Sequence, residues 1–574
     1  MLSDPRAGRR SQPQGNQLLW WLALGLLLFA VVAVLLWILA GNLDPGHPGR
    51  GRDPLELLAS QLKGQTPVTG AQVGIFFAAL LLVAGLATGL ALLLRKAMHG
   101  GSRVDHLASS MGHKRDYAGI SAAAVKADTE RLGAEGAGPG VPLAVLVNTN
   151  ERVYGTYEWV QSWLMGPRAG KTSCVCVPQI IETDGPVLAT TNKRDLVDMT
   201  RGPRSRVGTV WVHDVQGIIG EPTSWWWDPL SYVTDMQKAE GLTDVFITSA
   251  TSAGAKQDAY FESDGKRVLS HMFFAAAISN SPITDVFLWA QDPNDRTARN
   301  LLIEHGYPAL GKALGEIQNL TEKQRDGVYG TMRPWVTVLS YDNVTPWIRD
   351  TGQLNRAKFD HRAFATSTDT IYLVSKEGAG SARAITAALA VAVMEAAEEQ
   401  AAAMPGGRLR TPMMAVLDEA ANVVRWRALP DVYSHYGSRG LIVSTFFQSY
   451  EQGVEAYGKE GMDKLWGAAN IRVAGSGLSS DKFLPFLSQL VGEHDVIKRS
   501  ESTQKAGGPS VSTSMQRERI LEVSDLAALP RGRAIITSSG MPAALVQLQH
   551  YSGRPYGPDV TESQRYYENA PHRH

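Results

Sequence analysis

A strand-like run over residues 157–165 passes straight into Gly166-Pro-Arg-Ala-Gly-Lys-Thr172, and residues 171–181 then have the composition of a helix, with Pro178 as a point of shortening or kinking. A glycine-rich turn between strand and helix gathers backbone N–H groups around one point, and the helix start adds partial positive charge there, so the turn is a phosphate cradle. No other feature constrains the fold as strongly. Strand–turn–helix is the opening of a βα unit, and repeated units of that kind build a mainly parallel sheet covered on both faces. The candidate nucleotide-contact residues are Gly166, Pro167, Arg168, Ala169, Gly170, Lys171, Thr172 and Ser173. Lys171 is placed to reach the β- and γ-phosphates, and the Thr172 hydroxyl to bind Mg²⁺. The usual pattern asks for glycine five residues before Gly170; Met165 stands there, with Gly166 one step later.

Far downstream lies Met413-Met-Ala-Val-Leu-Asp-Glu419, five apolar residues and then two acids. A buried strand of this kind delivers Asp418 to a magnesium shell, while Glu419 polarises an attacking water. The next strand-like run, 440–448, ends in Gln448, an amide suited to contact with the γ-phosphate or the water. Arg439, in Gly-Ser-Arg-Gly, can stand at a subunit edge as an arginine finger for a neighbour's ATP, or equally serve as a surface cation. The expected catalytic set is Lys171, Glu419, Gln448 and Arg439, the metal set Thr172 and Asp418, and the cofactors ATP and Mg²⁺.

Charge is balanced, with 56 basic and 56 acidic residues in 574, which argues against a dedicated nucleic-acid coat but not against a ring with a basic pore. The only cysteines, Cys174 and Cys176, stand two apart on the expected helix and face different directions, so they are read as small buried thiols rather than a disulfide or a zinc site. Arg425-Trp426-Arg427 and the cluster Arg201, Arg204 and Arg206 have the residue types of a single-strand grip, but local salt bridging or a solvated face is the favoured reading of both.

Residues 18–40 and 73–94 carry no charge. At about 1.5 Å per residue the first reaches roughly 34 Å, enough for a hydrocarbon core of about 30 Å. Both are expected to span a membrane. Arg6, Arg9 and Arg10 before the first and Arg95, Lys96, Arg103, Lys114 and Arg115 after the second put both ends in the cytosol, with a short loop outside.

The expected organisation is a cytosolic tail (1–17), a two-span anchor (18–96), a juxtamembrane linker (97–149), a nucleotide-binding domain in two pieces (150–235 and 346–555), a mostly helical insertion (236–345) and a loose polar tail (556–574). Strand-like runs become rare over 236–345, and the separation of the phosphate loop from the acidic strand exceeds what a minimal nucleotide-binding core needs. Ser381 is expected to cap an alanine-rich helix ending before Pro405, and residues 500–514, rich in Ser, Gly and Thr, to form a mobile loop.

Four patches resemble the type IV coupling protein family, the TraG/TraD-like ATPases of bacterial conjugation and type IV secretion. They are Arg168-Ala-Gly-Lys171 with its downstream Val-Pro-Gln; Val187 to Leu196, where Thr191, Asn192 and Lys193 stand at the places of the family's usual Asp, Pro and Lys, with Thr200; Trp227-Asp-Pro-Leu230; and Leu417-Asp-Glu-Ala-Ala-Asn422 followed by Leu429-Pro-Asp-Val-Tyr, Ser438-Arg-Gly, Gln448 and Tyr457-Gly. The resemblance implies an α/β, RecA-like P-loop NTPase domain with an inserted all-α domain, preceded by two transmembrane helices. It also implies a homo-hexamer on the cytoplasmic face of a bacterial cell membrane, coupling ATP hydrolysis to recruitment of a relaxase and single-stranded DNA and to their passage toward a type IV secretion channel. The alternatives are an FtsK-like DNA translocase, a protein-secretion ATPase, and a membrane-anchored docking protein with weak turnover.

Overall fold

The computed structural model describes residues 31–46, 48, 53–98, 102–134, 138–251, 259–352, 355–376, 382–423, 426–502 and 510–569. They fall into two units, 1–102 and 103–574.

In the first unit a helix over 31–43, the helix Pro54–Leu62 and the long helix Gly70–Met98 are pinned by polar side chains. Trp37 Nε1 donates to Gln61 Oε1 at 2.8 Å, and Gln61 Nε2 donates to the Oε1 of fully buried Gln72 at 2.8 Å. Leu35, Leu39, Leu81, Leu82 and Leu86 are exposed. Among the described residues no helix is long and apolar enough to cross a membrane. The expected span over 73–94 lies within Gly70–Met98, and most of that over 18–40 lies outside the described residues, as does the tail over 1–17.

The second unit is organised by strands whose side chains are apolar on both sides. In Met413–Leu417 every residue is buried, with Met413, Ala415 and Leu417 in one core and Met414 and Val416 in the other. Alternation of this kind, without a solvated face, requires cover on both sides of the sheet. Among the described residues eleven strands share the sheet: β1 (Val141–Leu146), β2 (Arg152–Gly155), β3 (Gln161–Leu164), β4 (Val187–Thr191), β5 (Val210–His213), β6 (Thr370–Val374), β7 (Met413–Leu417), β8 (Leu441–Phe447), β9 (Ile471–Gly475), β10 (Arg533–Ser538) and β11 (Met541–Gln547). Their order is β2-β1-β11-β10-β9-β3-β8-β7-β4-β6-β5. From β9 to β5 all neighbours are parallel. From β9 through β10, β11 and β1 to β2 they are antiparallel. The sheet is therefore mixed, a parallel half carrying an antiparallel wing that the apolar runs alone did not distinguish. Part of the expected linker over 97–149 belongs to that wing, and Ala122–Arg131 within it is helical, its first turn closed by the Ser121 hydroxyl.

All regular elements from Met236–Ala250 to Thr345–Ile348 are helical. At the foot of this segment Trp225–Trp226 pairs in parallel with Ala357–Lys358, and the Trp227 N–H donates to the Trp347 carbonyl at 2.8 Å. Trp211, Trp225, Trp347 and Phe359 interlock edge to face around buried His213, whose burial pushes its pKa down to about 3.

Two expectations are corrected, the second in part. The polar tail is not loose: Gly557–Asn569 is a helix packed on Asp195–Arg204. Of the expected mobile loop over 500–514, residues 500–502 and 510–514 belong to a hairpin, Glu493–Ser502 against Ser510–Arg519, and 503–509 lie outside the described residues. The alanine-rich helix spans Arg383–Ala403 and starts from Ala382 without a side-chain cap, while Ser381 lies outside the described residues.

Candidate nucleotide site

In a parallel sheet the carboxyl ends of the strands line up, and the loops that leave them form a crevice. Here β3, β7, β8 and β4 deliver respectively the 165–173 turn, Asp418 with Glu419, Gln448, and Thr191 to Asp195. The cavity these residues line has a volume of about 470 Å³. All eight expected nucleotide-contact residues, Gly166 to Ser173, line it.

The turn's backbone explains the shifted glycine. Met165 is fully buried, its side chain against Gly475, so a glycine there would leave a hole in the core. Gly166 is the residue that admits no side chain: its N–H donates to the Ser476 carbonyl at 3.0 Å, and a Cβ would meet the Gly477 oxygen at 2.2 Å. Gly166→Ala is therefore expected to destabilise the protein by about 3 kcal/mol and to weaken nucleotide binding, as read by thermal unfolding and a fluorescent-ATP titration. Arg168 holds φ 61° and Gly170 φ 90°, the left-handed conformations that turn successive N–H groups toward one side. Beyond the turn a π-helical stretch, Thr172–Cys176, precedes the α-helical turns Val177–Ile181. The wide turn places Pro178, which has no N–H to give, at the start of the α segment. Cys174 and Cys176 are free and buried.

The charged groups meet on this turn. Lys171 Nζ is 2.7 Å from Asp418 Oδ1 and donates to Glu419 Oε1 at 3.1 Å, and Gln448 Nε2 donates to the same carboxylate at 2.9 and 3.1 Å. Burial pulls the Lys171 pKa down, but the Asp418 and Glu419 carboxylates outweigh it and hold the ammonium above its usual value. Burial raises Asp418, with Lys171 opposing. Burial also acts to raise Glu419, yet Lys171 and the Gln448 amide prevail and keep its carboxyl below the usual range. Glu419 is thus an ionised carboxylate that accepts hydrogen bonds from Lys171 and Gln448. It has φ 57°, a left-handed conformation unusual for a glutamate and one that turns the side chain back toward the cavity. The Thr190 hydroxyl, from β4, donates to the Asp418 carbonyl at 2.7 Å and ties the two strand ends together.

The donor set fits a small hard cation. Asp418 and the Thr172 hydroxyl line one cavity and offer oxygens only, and Mg²⁺ is typically held by one or two protein oxygens with phosphate and water supplying the rest. Among the described residues no group of three or more His, Cys, Asp or Glu side chains forms a metal cage of its own.

Arg439 is not brought to this site. It caps the helix Leu429–Ser438 at the amino end of β8, whereas Gln448 follows the carboxyl end, and its guanidinium donates to the Gly407 carbonyl at 3.2 Å. Asn192, Lys193 and Asp195 do line the cavity and were not assigned as site residues from sequence, although the replacement of Asp and Pro around Lys193 marked the segment. The basic cluster beside it is structural. Arg204, buried, donates to the Gly185 and Thr368 carbonyls at 2.9 and 3.0 Å, and Arg201 pairs with Asp198 and Glu221. Trp426 is buried against Tyr436, and Arg425 lies outside the described residues.

Residues 412–531 match the family model described as the TraM recognition site of TraD and TraG. No curated protein sequence matches the chain. Among solved structures the bacterial conjugative coupling protein TrwBdeltaN70 in its unbound monoclinic form is similar, at 15% identity and a TM-score of 0.52 over 75% of this chain and 92% of that one. Its trigonal form in complex with sulphate gives 14% and 0.53 over 74% and 92%. The plasmid coupling protein TrwB in complex with the non-hydrolysable ATP analogue ADPNP gives 14% and 0.50 over 68% and 85%.

Proposed function

We propose that this chain, which resembles the type IV coupling proteins in its segment 412–531 and in its fold, is a membrane-anchored ATPase that recruits a relaxase–DNA or protein substrate and drives it toward a type IV secretion channel. One observation carries the reading: Lys171, Asp418, Glu419 and Gln448, from three separate strands, converge on one phosphate-cradling turn. The strand order gives the convergence its chemistry. β8 lies between β3 and β7, so the base on β7 is set one strand away from the phosphate turn, and Gln448, from the intervening strand, spans the gap.

In this mechanism the turn N–H groups and Lys171 bind the triphosphate, and Thr172 and Asp418 would hold Mg²⁺, which would supply positive charge against the phosphates. Glu419 accepts a proton from the attacking water at its carboxylate. Gln448 holds that carboxylate in orientation and reports the state of the phosphate to the helix Tyr450–Ala468 that follows it, whose Gln452 side chain accepts from the Gln448 N–H at 2.8 Å. The helical segment from Met236 to Ile348 serves substrate recognition, and the N-terminal segment up to residue 96 anchors a homo-hexamer at the bacterial cell membrane with this site in the cytoplasm. TrwB's complex with an ATP analogue supports the nucleotide assignment.

The test is ATP hydrolysis by the full-length protein in detergent, with and without single-stranded DNA. Magnesium-dependent turnover stimulated by DNA is expected; no hydrolysis with or without DNA leaves the docking-protein reading in its place. Arg439 enters the proposal only in trans, as a finger for the adjoining subunit. Arg439→Ala is then expected to lower turnover by at least about tenfold with little change in ATP affinity; a parallel loss of affinity would make it a local binder.

A further inference from the structure

Two helical segments run back from the phosphate side of the cavity. One follows Thr172 and ends at Ile181, with Glu182 next; the other, Asp195–Arg204, follows Thr191, Asn192, Lys193 and Arg194. The end of the chain is bonded to both. Buried Arg554 and the Tyr556 hydroxyl bond Glu182 Oε1, the hydroxyl at 2.6 Å. From there Gly557–Asn569 lies on Asp195–Arg204. Ser563 Oγ accepts from the Gly202 N–H at 3.0 Å and donates to the Asp198 carbonyl at 2.6 Å. These are the donor and acceptor that an α-helix joins to each other, so the serine stands within the ladder of its neighbour. A Cβ on Gly202 would come within 2.6 Å of that hydroxyl. The Arg201 guanidinium lies 3.3 Å over the Tyr567 ring, and Arg194 donates to the Tyr567 carbonyl at 2.9 Å and to fully buried Asp198 at 2.6 Å.

Arg194 stands between Lys193 and Asp195, both of which line the cavity. A ten-residue helix with Gly202 and Pro203 in its last turn is marginal by itself. Its placement relative to the phosphate-turn helix therefore depends on the segment that holds the two together.

We propose that residues 554–569 are a clamp that positions the nucleotide site, with Arg554, Ser563 and Tyr567 as positioning residues that set the spacing of the two phosphate-facing segments without touching nucleotide. This rests on the reading of the cavity as an ATP site. A shift of about 1 Å at either segment is enough to cost tenfold or more in productive binding.

The test uses full-length protein in detergent, with Gly202→Val, Ser563→Ala, Ser563→Thr and a chain ending at Tyr556. The readouts are fluorescent-ATP affinity, KM and kcat for ATP, the thermal midpoint, and hydrogen exchange over residues 192–198 without nucleotide. The expected result is a rise of about tenfold in Kd and KM for Gly202→Val and the shortened chain, a smaller rise for Ser563→Ala, little change in kcat, faster exchange over 192–198, and near-normal behaviour of Ser563→Thr. A lowered thermal midpoint with Kd and KM unchanged makes the contact merely structural and overturns the clamp. Loss of kcat at constant KM overturns it as well. If the unaltered protein binds nucleotide and the variants bind it equally, the clamp fails and the ATP site stands. If the unaltered protein binds none, both fail together.

Discussion

Glu419→Gln is expected to lower ATP turnover by at least about a hundredfold while leaving nucleotide affinity nearly unchanged. The amide keeps the size of the carboxylate and can still accept from Lys171 and Gln448, so the geometry around Lys171 survives. What is lost is the proton acceptor. In the native protein Lys171 and Gln448 hold that carboxyl below its usual range against the effect of burial, which keeps it ionised and ready to take a proton from water. Single-turnover hydrolysis beside a fluorescent-ATP titration separates chemistry from binding. Undiminished hydrolysis in the variant would remove Glu419 from the mechanism.

Lys171→Ala is expected to abolish nucleotide binding and to destabilise the protein as well. Its ammonium, 13% exposed, is the counter-charge for two buried carboxylates, and removing one partner of such a cluster costs about 3–5 kcal/mol. Asp418, already raised by burial, loses the group that opposes the rise and becomes protonated more readily. Inactivity of this variant alone would therefore mix lost binding with lost folding. Adding Asp418→Asn to Lys171→Ala is expected to recover most of the stability and none of the binding, with thermal unfolding and nucleotide titration as the readouts. If the single substitution leaves the unfolding midpoint unchanged, the carboxylates are not held by this lysine.

These expectations were within reach of the sequence because the candidate site is built from local signals. Buried parallel strands are continuous apolar runs, so β4, β6, β7 and β8 announce themselves, and the residues that follow β4, β7 and β8 in the chain lie at the cavity. Arg439 shows the limit of such reasoning: Gly-Ser-Arg-Gly marks a helix end as well as it marks an exposed cation, and only the direction of β8 reveals that this end faces away from the cavity. The last helix was hidden for a different reason. Gly557–Asn569 is polar, with Gly557, Val560 and Ser563 as its buried residues, and it is held by a hydroxyl, an arginine–ring contact and main-chain acceptors rather than by an apolar stripe. The hairpin of residues 493–519 is similarly poor in apolar side chains; its Ile497 and Met515 face each other across the ladder and are exposed.

The pairing of Trp225–Trp226 with Ala357–Lys358 has a consequence for how such a chain can diversify. The polypeptide leaves the sheet layer and returns to it side by side, so the stretch between behaves as a lobe on a closed neck. Loop closure penalties grow only with the logarithm of length, so residues added or removed inside the lobe leave the neck, and the strand register behind it, nearly undisturbed. New surfaces can accumulate there while the strands that line the cavity stay the same.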